Sequence, residues 1–336
     1  MSSLSCLGMA TAAPLRIGFL GPQGTFTEEA LFAEPDYADA DVVALASLHD
    51  VLEAVEDERV DLGFLPIENA IEGSVRDTVD SLIFDRELFI QREVVLDIHL
   101  HLMARSGTRI EDVRRVTSIP MATAQCRDFL VEHLRGAEVA PANSTADAAR
   151  LLGEGAGDVL EVPTAAIAPR LAAKLYGLEI LAEDVEDHPE NQTRFVAVAR
   201  RGIPAPTGHD RTTIACFQRA NRPGSLHGIL GQFSARNINL TKLESRPTKR
   251  ALGDYCFIID LEGHVADEVI ADCLRDLRAE LADVKFLGSY PAAGDAGPAI
   301  RKEADAAWRK ADAWLDALRS QIVWGPDGTG RSARPD

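Results

Sequence analysis

The sequence predicts an α/β protein in two parts: a region of parallel β/α units, then a smaller ferredoxin-like βαββαβ domain. Three observations predict it. Residues 15–65 alternate apolar strand-like runs with a helix-period segment, which is the signature of a parallel layout. Residues 202–210 (GIPAPTGHD) are rich in Pro and Gly and lack any period, so they read as a linker. Beyond the linker, apolar period switches between 2 and 3.6 in the order β-α-β-β-α-β across 211–290. A chain of 336 residues is long for one core and comfortable for several.

The elements follow in order. Residues 15–20 (LRIGFL) form an apolar run ending at Gly21-Pro22-Gln23-Gly24, and Thr25 stands three residues before Glu28, the spacing of a capping box, so a helix starts there. The next helix spans 48–58, with Ser47 before it and Leu48, Val51, Leu52 and Val55 on one face. A strand over 60–65 follows and is expected to stop at Pro66. Residues 96–102 (LDIHLHL) alternate strictly and predict one half-buried strand with His99 and His101 facing water, not a metal pair. A second β/α set is expected as a strand near 113–118, a helix after Pro120, a strand near 138–141 and a helix capped by Ser144 with Asp147 three on. The strand 194–199 (RFVAVA) closes the region.

After the linker come strand 212–218, helix 223–235, strands 238–246 and 253–261, helix 266–281 and strand 284–290. The second helix keeps Val269, Ile270, Cys273, Leu274, Leu277 and Leu281 on one face. An amphipathic helix over 299–323, with Trp308 and Trp314 near its apolar face, is expected to dock on the body of the protein or on a second subunit. Residues 1–14 read as a disordered leader without the basic start of an export signal, and 324–336 as a disordered tail.

Composition excludes several classes. A net charge of −18 makes nucleic acid an unsuitable partner, because phosphate binding needs clustered positive charge. No apolar run reaches the roughly 18–20 residues that span a bilayer. Five scattered cysteines without a CxxC pair argue against a disulfide framework and against a zinc site, and fit reduced cytoplasmic thiols. Nothing calls for a metal or an organic cofactor.

Three loops place polar residues where strands end: Gly21–Thr27, Pro66–Ser74 and Asn191–Phe195. Two glycines before a helix start suit an anion held by backbone N–H groups. An acid and an amide at 68 and 69, and an amide, a hydroxyl and a guanidinium at 192–194, suit a polar site; each loop taken singly is as well explained as a turn. Together, GPQGTFTEEA at 21–30, PIENAIEGSV at 66–75, Ser-Thr-Ala at 144–146, AAKLYGL at 172–178 and NQTRF at 191–195 resemble the motifs of prephenate dehydratases, in that family's order. The C-terminal part resembles an ACT domain, with Arg222-Pro223-Gly224-Ser225-Leu226 and Glu244-Ser245-Arg246-Pro247.

The resemblance implies a catalytic domain over 15–201 built of two lobes like those of type II periplasmic binding proteins, and an ACT domain over 211–290. It implies conversion of prephenate to phenylpyruvate without a cofactor, in a cleft between the lobes. Its catalytic threonine falls on Thr193 and its active-site asparagine on Asn69, joined by Ser118 and Gln125; Thr25, Glu68, Arg194, Phe195, Ser144 and Thr145 are the implied substrate contacts. Thr193 would hydrogen-bond or protonate the departing hydroxyl, and Arg194 would clamp a carboxylate or else make a structural ion pair away from the cleft. Phenylalanine would bind at Pro223, Gly224, Ser225, Leu226, Glu244, Ser245, Arg246 and Pro247 in a homodimer or homotetramer, unless the domain is only a dimerisation module. The chain departs from the family at Ala70, where a serine is usual, and at Ile119 and Met121, where the family has His and Gln. Ala70 leaves room for an arogenate dehydratase or a non-aromatising prephenate decarboxylase, and a catalytically inactive amino-acid sensor is the reading from another class.

Overall fold

The computed structural model describes residues 14–156, 161–294 and 300–322, with backbone alone over 300–308. The predicted leader up to residue 13, the tail, and the side chain of Trp308 lie outside the described residues. The chain forms two compact units, 1–203 and 204–336.

The first unit opens with β1 (Arg16–Leu20), α1 (Phe26–Ala33), β2 (Asp41–Leu45), α2 (Leu48–Glu56), β3 (Leu62–Asn69), β4 (Gly73–Ser74), α3 (Arg76–Asp80) and β5 (Phe89–Asp97). It continues with β6 (His101–Ala104), β7 (Arg115–Ser118), α4 (Pro120–Ala124), α5 (Arg127–His133), β8 (Glu138–Pro141), α6 (Thr145–Glu154), β9 (Thr164–Ala168), α7 (Arg170–Tyr176), β10 (Glu179–Ala182) and β11 (Gln192–Ala199). Two sheets result, ordered β2-β1-β3-β11-β5 with β4 beside β3, and β10-β6-β9-β7-β8. Each is the centre of a lobe, and the chain passes between lobes after β5 and again before β11.

Capping chemistry works as the residue types require. Thr25 and Ser47 accept hydrogen bonds from Glu28 N and Asp50 N at the starts of α1 and α2, and Ser144 from Asp147 N at the start of α6. The first lobe's core gathers Ile17, Phe19, Ala30, Leu31, Phe64, Val94 and Phe195. The second lobe packs its sheet on both faces, around Leu102, Val116 and Ile167 on one side and Met103, Ala148 and Ala172 on the other.

Two strand expectations need correction. β3 does not stop at Pro66 but runs on to Asn69. Its pairing with β1 ends at Phe64, and its register with β11 shifts beside Pro66, so the missing N–H falls at an irregularity where no ladder bond is lost. Nor is 96–102 one strand. β5 ends at Asp97 and β6 starts at His101, because the backbone between them bonds to the returning crossover: Ile98 N to Asn191 O, Leu100 N to the Glu186 carboxylate, and Val185 N to Leu100 O. His101 is therefore buried, 3% exposed, with Nδ1 accepting from Asp184 N.

The second unit is β12 (Asp210–Phe217), α8 (Ser225–Ser234), β13 (Leu240–Pro247), β14 (Tyr255–Glu262), α9 (Glu268–Glu280), β15 (Asp283–Pro291) and α10 (Ile300–Arg319). Its antiparallel sheet runs β13-β14-β12-β15, the ferredoxin-like order. Ile229 and Phe233 of α8 and Ile270, Cys273 and Leu277 of α9 pack on Ile214, Cys216, Phe257 and Ile259 of the sheet. In α10, Trp314, Leu315 and Leu318 are exposed.

Candidate active site

β11 returns from the second lobe and inserts antiparallel between β3 and β5, which sets Thr193 directly opposite Asn69. Residues 124 positions apart thereby become cross-strand neighbours, with Asn69 Nδ2 donating to Thr193 Oγ1 at 2.9 Å. The orientation of that amide is determined by its surroundings. Asn69 Oδ1 accepts from the backbone N–H groups of Ile71 and Glu72, each at 3.0 Å, so the NH2 group must face Thr193. Nδ2 also reaches Asn191 Oδ1 at 2.8 Å and Gln192 O at 3.1 Å. An amide NH2 only donates; Thr193 Oγ is the acceptor here, and its own proton remains for another partner.

The network continues into the second lobe. Asn191 Nδ2 donates to Gln125 Oε1 at 3.1 Å, and Gln125 Nε2 lies 3.5 Å from Glu72 Oε1, a long contact. Asn191 is 1% exposed, so both ends of its amide need the partners they have. The sequence motif contains Asn191 without marking it for a role; an amide at a strand entrance is the signal it offers. Glu72 is equally unmarked in its own motif.

Thr25 lies in the same lobe, where β1 leads into α1. It is 9% exposed, caps the helix, and leaves the following N–H groups at a positive helix end. Burial raises the pKa of Glu28, and the Gly24 N–H that its carboxylate accepts pulls it back down. In the second lobe, Ser144 and Thr145 open α6 just beyond the carboxyl end of β8, beside that of β7. Carboxyl ends of parallel strands are where such folds bind ligands.

Three of the expected site residues are placed otherwise. Ser118 is fully buried and its hydroxyl donates to Ile167 O at 2.7 Å, tying β7 to β9. Phe195 is a core residue, stacked on Phe64 with ring centroids 5.7 Å apart. Arg194 points to the face opposite Thr193, because successive strand side chains alternate. There Nη2 meets Glu68 at 2.9 Å and Nη1 meets Glu93 at 3.3 Å, with only 8% of its side chain exposed. Of the two roles open to Arg194, the geometry realises the structural ion pair, and it engages Glu68 with it.

The two lobe crossovers are tied by His99, whose Nδ1 lies 2.9 Å from Glu186 and 3.7 Å from Asp184. The hydrogen bond to Glu186 raises the pKa of His99 against the effect of its burial, whereas desolvation lowers that of His101. Ligand atoms of His99, Asp184 and Glu186 all lie within 4.8 Å of one another, the one such group among the described residues. Both Glu186 oxygens already accept hydrogen bonds, from His99 and from Leu100 N.

In the second unit, Gly224 adopts a φ of +85° to start α8, and Glu244–Pro247 form the end of the edge strand β13. A cavity of about 350 Å3 opens beside the start of α8, lined by Arg222, Ser225 and Gly228 with Ile229, Leu277 and Leu281 as its apolar wall. Arg246 lies 3.4 Å from Glu244, which Lys242 also approaches at 3.6 Å.

The fold is thus that of a two-lobed α/β unit with a polar network at the lobe junction, followed by a ferredoxin-like βαββαβ unit with a cavity at its first helix. The prephenate dehydratase family profile matches residues 17–203 and the ACT domain profile residues 212–279. A prephenate dehydratase of Mycolicibacterium vanbaalenii is 42% identical over 317 residues, covering 90% of this chain and 98% of that protein. The prephenate dehydratase of Arthrobacter aurescens, solved in complex with L-Phe, superposes with a TM-score of 0.82 at 41% identity, covering 91% of this chain and all of that one. GqqA, described as a novel type of quorum quenching acylase, superposes with a TM-score of 0.73 at 31% identity, over 83% of this chain and 98% of its own. The chain belongs to the prephenate dehydratase family and carries a C-terminal ACT domain.

Proposed function

We propose that the protein is a lyase that converts prephenate to phenylpyruvate under control by phenylalanine. The single observation that carries the reading is the Asn69–Thr193 pair, because Thr193 Oγ accepts from Asn69 and so keeps its own proton for a ligand at the lobe junction. Loss of CO2 and of the ring hydroxyl makes the product aromatic, so the driving force resides in the substrate. The protein has to orient the ring and assist the hydroxyl as it leaves. Thr193 would donate to that hydroxyl, with Asn69, Asn191 and Gln125 holding its oxygen in place. A threonine is a weak acid, so placement supplies more of the effect than proton transfer. With Arg194 engaged elsewhere, the substrate carboxylates fall to the N–H groups opening α1 and α6, near Thr25, Ser144 and Thr145.

The acylase relative raises a second reading. An acylase needs a nucleophile with a base beside it, and among the described residues Thr193 has no imidazole or carboxylate in hydrogen-bond reach. That favours the dehydratase. Phenylalanine would occupy the α8 cavity, its carboxylate at Gly224–Ser225 and its ring on Leu226, Ile229 and Leu277. Pro223 would border the cavity just before α8, and the Glu244–Pro247 end of β13 from a second copy would complete the site. Exposed Leu243 and Tyr255 on and beside that edge support a homodimer or homotetramer. A cytoplasmic setting fits the reduced, buried Cys126, Cys216, Cys256 and Cys273.

The deciding experiment assays purified protein on prephenate, arogenate and an N-acyl amino acid, with and without phenylalanine. Alkaline ultraviolet absorbance reports phenylpyruvate and chromatography reports released phenylalanine or acid. Phenylpyruvate from prephenate, suppressed or enhanced by phenylalanine, is the expected result. Preference for arogenate, turnover of the amide alone, or phenylalanine binding with no CO2 release would each overturn it.

A further inference from the structure

The run Ala172–Leu178, which makes the last turns of α7 and its cap, takes no part in that chemistry. Its Tyr176 donates a 2.7 Å hydrogen bond to the main-chain oxygen of Gln23, 153 positions away. Gln23 belongs to the first lobe, in the loop that delivers Thr25 to the start of α1, whereas α7 belongs to the second. The contact is enforced from both sides by missing side chains. Gly24 holds φ at +86°, and a Cβ there would lie 3.2 Å from Ala172 Cα and 3.3 Å from the Tyr176 ring. On the far side, a Cβ on Gly153 of α6 would sit 2.5 Å from Tyr176 O. One glycine lets the loop lie on α7, and the other lets the end of α7 reach the loop. Desolvation raises the Tyr176 phenol above its ordinary value of 10.0, so it is a neutral donor throughout the working range.

We propose that Tyr176 is a positioning residue, whose phenol clamps the Gly21–Thr25 loop of the first lobe onto the second and so sets where the start of α1 meets a substrate carboxylate. The proposal rests on the dehydratase reading for its kinetic arm only. Tyr176 touches no reacting atom, so its loss should weaken binding of ground state and transition state alike.

The test is Tyr176→Phe, which keeps the ring and its packing on Gly24 and removes the hydroxyl. KM for prephenate should rise roughly three- to tenfold, the loss of one neutral hydrogen bond, with kcat within about twofold. Amide hydrogen exchange in residues 21–27 of the free protein should quicken, while that of 191–197 stays the same. An unchanged KM with a lower melting temperature would make the tyrosine merely structural, and a fall in kcat at constant KM would place it in the chemistry; either result overturns the proposal. Wild-type protein inert on prephenate would refute the dehydratase reading instead, and the exchange rates would still decide the clamp: unchanged exchange at 21–27 refutes it.

Discussion

Thr193→Val separates the chemistry of the junction from its stability. Valine keeps the β-branched shape that suits strand β11 and deletes only the hydroxyl. The stability cost is small for a structural reason. Asn69 Nδ2 still has Asn191 Oδ1 at 2.8 Å and Gln192 O at 3.1 Å for its hydrogens, so no buried donor is orphaned. The loss is about 0.5–1 kcal/mol, and the melting temperature should fall by no more than about 2–4 °C. The kinetic cost is of another size. Removing a positioned donor to a departing group costs at least about two orders of magnitude in kcat, or roughly 2.7 kcal/mol of barrier. Initial rates of phenylpyruvate formation, with calorimetry on the same samples, measure both, and Thr193→Ala should lose at least as much turnover. A kcat for Thr193→Val within tenfold of wild type would refute the role given to the hydroxyl. A melting temperature lower by ten degrees would refute the account of the network.

Arg194→Met should act on stability, because it removes the cation that bridges Glu68 and the buried Glu93; a loss of about 3–5 kcal/mol in a denaturant titration is expected, with KM of the surviving folded protein near wild type. A large KM increase without destabilisation would restore the clamp. Gly153→Ala forces a Cβ into the carbonyl of Tyr176 and should cost about 1–3 kcal/mol, read from the same titration. The two crossover histidines predict opposite pH effects. His99 is held above its ordinary 6.5, so its tie to Glu186 is at full strength below that pH and is lost as pH rises through the higher folded value. His101 is held below 6.5, so its contribution is complete above that pH and is lost on acidification. His99→Gln should flatten the alkaline side of a melting-temperature profile and His101→Gln the acid side; exchanged effects would contradict the geometry.

Local chemistry was readable where it depends on near neighbours. The caps at Thr25, Ser47 and Ser144 and the period of α9 follow from residue types a few positions apart. Elements held by distant partners were not readable. β9, Thr164–Ala168, is rich in alanine, a helix former, and becomes a strand because it is buried on both faces between β6 and β7. Alternation alone predicts an exposed His101, since nothing in 96–102 signals that the returning crossover bonds to the backbone of Ile98 and Leu100 and to the His101 ring.

The amino-acid order by itself determined which segments are strands and helices with strong periods, where most helices begin, and which polar residues cluster at strand ends. Those are properties of short spans, governed by backbone geometry and solvation. Tertiary structure alone decided that β11 inserts antiparallel beside β3, in the register that sets Thr193 against Asn69 and turns Arg194 to the other face. Register is a long-range quantity: a slip of one residue would exchange those faces, and only packing of both sides of the sheet selects between them.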